Sequence, residues 1–159
     1  MPITRWIKDE AEVKGCNAKW LEKFNKGDYE ATKLDDVLLF FMGMAEFGLM
    51  NEEYKEEVDD AIETYGEVAQ YFEIRGTDIK MVMIANENEF KLGLYTGDWT
   101  DIQKEGGWKN PVRMEMVPEA MKQIMSGNAN TDSFYFKGQL TVVGPLKLAI
   151  LGRSWIRTY

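Results

Sequence analysis

Apolar residues between Leu34 and Met50 recur at three- and four-residue steps: Leu34, Val37, Leu38, Phe41, Met42, Ala45 and Leu49. That spacing marks one face of an α-helix. Leu39, Phe40, Met44 and Phe47 widen the face to most of the circumference. Such a helix is buried on nearly all sides or forms an interface. Asp35 and Asp36 fall in its first turn, where the helix dipole favours negative charge. Asn51 is placed to cap a second helix. Its narrow apolar stripe is Tyr54, Val58, Ala61, Ile62 and Tyr65, and Gly66 is its stop. Upstream, Ile3 to Lys26 has only weak helical periodicity, through Trp6, Val13, Trp20, Leu21 and Phe24. Gly15 divides it, so two short helical pieces are expected.

After Gly66 the apolar period shortens to two residues, the period of strands. Val68, Gln70, Phe72 and Ile74 alternate with Ala69, Tyr71, Glu73 and Arg75. Ile79, Met81 and Met83 share one face of the next segment, with Val82 and Ile84 on the other. Phe90, Leu92 and Leu94 alternate with Lys91, Gly93 and Tyr95. Short polar turns at Gly76-Thr77-Asp78 and Asn86-Glu87-Asn88-Glu89 make this an antiparallel meander. Asp98 to Asn110 reads as a long loop carrying Trp99 and Trp108. Val112, Met114 and Met116 line a fourth strand. Pro118 then suits the first turn of a helix, whose buried stripe is Ala120, Met121, Ile124 and Met125. Ser133 to Gly144 reads as a fifth strand, with Phe134, Phe136, Leu140 and Val142 on one face. The expected architecture is α+β: a five-stranded, mostly antiparallel sheet with helices packed on one face.

Composition removes several kinds of function. The 159-residue chain contains no histidine, which takes away the commonest general base and zinc ligand. Its single cysteine, Cys16, forbids an internal disulfide. Lys14 and Lys19 nearby could activate that thiol, but no base accompanies it. A net charge of −8 opposes nucleic acid as a partner. The carboxylates show no spacing suited to paired acid–base work, and no nucleotide-binding fingerprint occurs, so neither a cofactor nor a metal is implied. The run Val37 to Met50, broken by Glu46, falls short of the ~20 residues a membrane span needs. Met1 to Glu10 has mixed charge and no apolar core, so no secretory signal is visible and a cytoplasmic location is expected.

The later part of the chain carries a more distinctive order of elements. A short helix ends in Met125-Ser126-Gly127. Phe134 with Phe136, Gly138-Gln139-Leu140, Gly144 and an apolar segment Leu146 to Leu151 follow. This order resembles the sterol carrier protein type-2 family of lipid-binding domains, over about residues 66–159. Pro145 departs from the family at the start of the last helix. The resemblance implies an apolar cavity between sheet and helices that binds or transfers a lipid, a fatty acyl chain or another apolar small molecule, without catalysis. The lining it implies is Met81, Met83, Leu92, Leu94, Met114, Met116, Met121, Met125, Phe134, Phe136, Leu140, Leu148 and Leu151. Six of these are methionines, whose flexible thioethers suit surfaces that fit varied apolar ligands; the same residues could equally fill an ordinary core.

Residues 1–65 then form a helical N-terminal extension packed on the domain, longer than the family pattern. Within it, Leu34 to Met50 could cover the cavity, extend it, or pair two copies as a homodimer. Arg153 and Arg157 could meet a carboxylate headgroup or simply form a basic helix end. The competing function is an oligomeric or accessory protein with a filled core and no ligand.

Overall fold

A single mixed sheet runs through the computed structural model, which describes residues 3–50, 52–127 and 131–148, with side chains over 5–46, 55–127 and 133–148. The strands are β1 (Ile3–Ile7), β2 (Glu67–Ile74), β3 (Lys80–Asn86), β4 (Phe90–Tyr95), β5 (Pro111–Met116) and β6 (Leu140–Val143). Their spatial order is β1-β4-β3-β2-β5-β6. Neighbours are antiparallel except β2 and β5, which run parallel. The helices are α1 (Glu10–Val13), α2 (Cys16–Lys26), α3 (Leu34–Met50), α4 (Glu52–Tyr65), α5 (Trp99–Gly106), α6 (Pro118–Met125) and α7 (Thr131–Phe136).

The apolar helix α3 lies between the sheet and α2, which explains why it is apolar nearly all round. Val37, Phe40, Phe41 and Met44 are fully buried. The Phe41 ring meets Phe72 of β2 at 5.2 Å between centroids. On the opposite side, Phe40 meets the edge of Trp20 from α2 at 5.2 Å. Leu34 is the exposed large apolar side chain among the described residues of α3. Glu46, the charge that interrupts the apolar run, reaches α2: its carboxylate accepts the backbone N–H groups of Gly15 and Asn17.

Four local expectations change. The sheet has six strands, because Ile3–Ile7 is an edge strand on β4 and not a helical piece. Its five residues are too few for a visible alternation. Its register also depends on a distant glycine: a Cβ at Gly93 would sit 2.8 Å from the Trp6 ring, so only glycine lets that ring lie across β4. The break at Gly15 does separate α1 from α2.

Second, the loop after β4 contains α5. Asp98 caps it, accepting the Thr100 N–H at 2.9 Å, and Ile102 is its one buried residue, too little for a stripe. Third, Phe134 and Phe136 lie on α7 and not on the last strand. That helix stops at Gly138, where φ is +73°, and the chain turns back as the Gln139 N–H bonds the Phe134 carbonyl at 2.8 Å. Fourth, the sheet is covered on both faces. On the second face Ile102 of α5 packs with Ala69, Tyr71, Val82, Ile84 and Tyr95, edged by Trp6, Trp99 and Trp108. The chain passes over this face from β4 to β5, the kind of crossover that lets β5 lie parallel to β2.

Candidate functional site in the methionine layer

Strand register sets the site. Directly paired residues point to the same side of a sheet, so the pairings arrange the core face in rows. One row reads Leu92, Met83, Gln70, Val112 across β4, β3, β2 and β5. The next reads Leu94, Met81, Phe72, Met114, Val142, ending on β6. A shorter row joins Ile74, Met116 and Leu140. From α6, Ala120, Met121, Ile124 and Met125 are buried in the same cluster, as are Phe134 of α7 and Leu148. Pro118 opens α6, and its amphipathic spacing turns this stripe inward.

Most of the implied lining therefore meets in one place. Met81, Met83, Leu92, Met114, Met116, Met121, Met125, Phe134, Leu140 and Leu148 share one buried cluster, and Leu94 packs against it half-buried. The six methionines are each no more than 3% exposed. Phe136 is the exception: its ring is 84% exposed on α7. The F-Y-F alternation suggested a strand, but on a helix Phe134 and Phe136 point in different directions. Leu151, Arg153 and Arg157 lie outside the described residues. A surface hollow of about 320 Å³ lies between α6 and α7, lined by Glu119, Ala120, Gln123, Ser133, Phe134, Lys137 and Gln139. Two of these, Ala120 and Phe134, belong to the methionine layer itself.

Gln70 was not singled out by the sequence, although it is the one polar member of the row Val68, Gln70, Phe72, Ile74. It is fully buried. Its Nε2 donates to the Leu148 carbonyl at 3.1 Å. Its Oε1 is buried and has no hydrogen-bonding partner among the described residues.

The other buried polar groups are structural. Asp36 accepts from Lys23 Nζ at 2.7 Å and from the Glu30 N–H at 2.9 Å. On the second face, Glu73 accepts from the Tyr95 hydroxyl at 2.6 Å and from Arg113 Nε and Nη2 at 2.8 and 2.6 Å. Burial, reinforced by the Glu73 carboxylate, pushes the Tyr95 phenol far above its ordinary range. The Cys16 thiol is likewise pushed up, by burial and by Glu46, against a smaller opposing effect of Lys19. It is thus deactivated, not activated. Among the described residues no group of three or more acidic or cysteine side chains could hold a metal ion. No helix among them is long and apolar enough to cross a membrane.

No family model matches the chain, and no curated protein matches it. Among solved structures, the chain is similar in fold to a sterol carrier protein 2 from Yarrowia lipolytica in its apo form. The two are 14% identical with a TM-score of 0.46, over 71% of this chain and 84% of that one.

Proposed function

We propose that the protein binds an apolar small molecule, such as a lipid or fatty acyl chain, in the layer between its sheet and α3 and α6, and carries it without covalent change. The observation that supports this reading is the convergence of six methionines from β3, β5 and α6 on one continuous face. Methionine has three rotatable bonds and a polarizable sulfur, so a layer built from it can part and re-form around chains of different shape. A branched aliphatic core would resist such movement.

The energetics are sufficient. Each CH₂ moved from water into an apolar site contributes about 0.8 kcal/mol, so ten methylenes would yield roughly 8 kcal/mol before the cost of association. Losing half of that leaves ~4 kcal/mol, about millimolar binding, and a chain of about 20 methylenes reaches the micromolar range at the same loss.

The near-complete burial of the methionines favours a second reading, an accessory protein whose layer is filled by its own side chains. Native mass spectrometry of freshly purified protein, followed by denaturing extraction, separates the two. The carrier reading expects a mass excess that extracts as lipid, or uptake of a fluorescent fatty-acid or fatty-alcohol probe by stripped protein. A clean apo mass together with no probe uptake would sink it.

A further inference from the structure

We propose that Gln70 selects the ligand's polar group, accepting a hydrogen bond from a neutral donor such as a hydroxyl. This rests on the carrier reading above and names the chemistry that reading leaves open. Asp36, Gln70 and Glu73 are the buried polar or charged side chains among the described residues. Asp36 and Glu73 each hold two or more donors. Of the three, Gln70 alone keeps a buried oxygen without a partner. An unmet buried acceptor costs as much as a hydrogen bond contributes, and native proteins keep few of them.

The orientation of the amide is fixed by its neighbour. Nε2 donates to the Leu148 carbonyl at 3.1 Å; turning the amide over would set oxygen against oxygen. The atom left in the layer is therefore an acceptor. It lies on the central strand β2, between Met83 and Val112 in the same row. An O–H or N–H on the ligand would satisfy it. An ether, an ester or an ionised carboxylate offers only acceptors and would leave two lone pairs facing each other. Leu148 belongs to a short helical stretch at 146–148. The same side chain thus ties that stretch to the sheet and faces the ligand, on a strand paired on both sides.

Displacement of a fluorescent fatty-alcohol probe by decanol and by its isomer methyl nonyl ether tests this on the unmodified protein. The two have the same atoms and differ in having or lacking a donor. The alcohol is expected to compete about ten-fold better, the ratio that corresponds to one buried hydrogen bond. In Gln70→Met, close in volume, the ratio is expected to fall to about one. Equal competition by both compounds in the unmodified protein overturns the inference while leaving the carrier reading intact, and needs no variant to fold. A preference that persists in folded Gln70→Met overturns it too. If the probe itself does not bind, the carrier reading falls and this inference with it.

Discussion

The carboxylate of Glu46, inside the most apolar helix of the chain, accepts the backbone N–H of Asn17 at 2.8 Å. Its second oxygen accepts the N–H of Gly15. Helix α2 has no side-chain cap of its own, so α3 supplies one from a neighbouring element, and the negative charge also complements the positive end of the helix dipole. Gly43, three residues earlier on α3, completes the joint. A Cβ there would lie 3.2 Å from the Asn17 Cα, so the glycine lets the two backbones close to within reach of the carboxylate.

Replacing Glu46 by alanine is expected to destabilise the fold by about 2 kcal/mol, the range for charged hydrogen bonds to backbone donors. The Glu46→Gln variant should recover part of the loss by keeping one acceptor. Urea unfolding of the two variants measures this. A change under ~0.5 kcal/mol in Glu46→Ala, the level of an ordinary surface substitution, would mean that the joint does not support α2.

Gly93 and Trp6 make a second glycine-dependent contact. The Trp6 ring also has Lys91 Nζ at 4.3 Å and the edge of Trp108 at 5.8 Å between centroids. Gly93→Ala forces the ring off β4, with an expected cost of ~1–3 kcal/mol, as for other overpacked sites. Once Trp6 is also alanine, the added methyl meets no ring, so the double variant should lose less than the sum of the singles. Strict additivity in a double-mutant cycle would rule out the contact.

Acid should weaken the fold partly through Asp36. Burial pushes its carboxyl up, but the Lys23 ammonium and the Glu30 N–H outweigh burial and hold it below its ordinary 3.8. A carboxylate with a lowered folded value contributes stability that is complete above the unfolded value and is lost as pH falls through the folded one. Glu115 acts in the same direction: burial opposes ionisation there, and Arg75 and Arg113 more than compensate. Asp36→Asn is therefore expected to be less stable than the parent at neutral pH by about 1–2 kcal/mol, with the gap narrowing below about pH 4. Denaturant titrations across that range check it; a gap independent of pH would remove Asp36 from the acid response.

Where a structural feature depends on a run of neighbours, the sequence displayed it. The alternation of Met81 with Met83 and of Met114 with Met116 put these residues on one face, and the spacing from Leu34 to Met50 marked a helix surrounded on nearly all sides. Where it depends on one distant partner, the sequence was silent. Glu46 looks like a flaw in an apolar run because its partners lie on α2. Trp6 looks helical because its strand is recognisable only beside Gly93. The pair Phe134 and Phe136 suits a strand by its alternation until Gly138 is seen to end a helix. Gln70 is visible as a polar residue in an apolar row, but its meaning comes from Leu148, 78 positions later.

The methionine layer itself makes the last prediction. Met121 and Met125 of α6 are buried in the same cluster as Met81 and Met83 of β3. Exchanging both for leucine nearly conserves volume, so stability should change by less than ~1.5 kcal/mol per site. Leucine is branched and has fewer rotatable bonds, so the layer would adapt less readily to different ligands. Under the carrier reading, unmodified protein should be stabilised against heat by long-chain alcohols over a broad range of lengths. The leucine variant should show a narrower optimum. If the range of lengths is unchanged in a stably folded variant, side-chain softness on α6 is not what admits the ligand, and the wall that yields must be sought among the residues of α3 and β6.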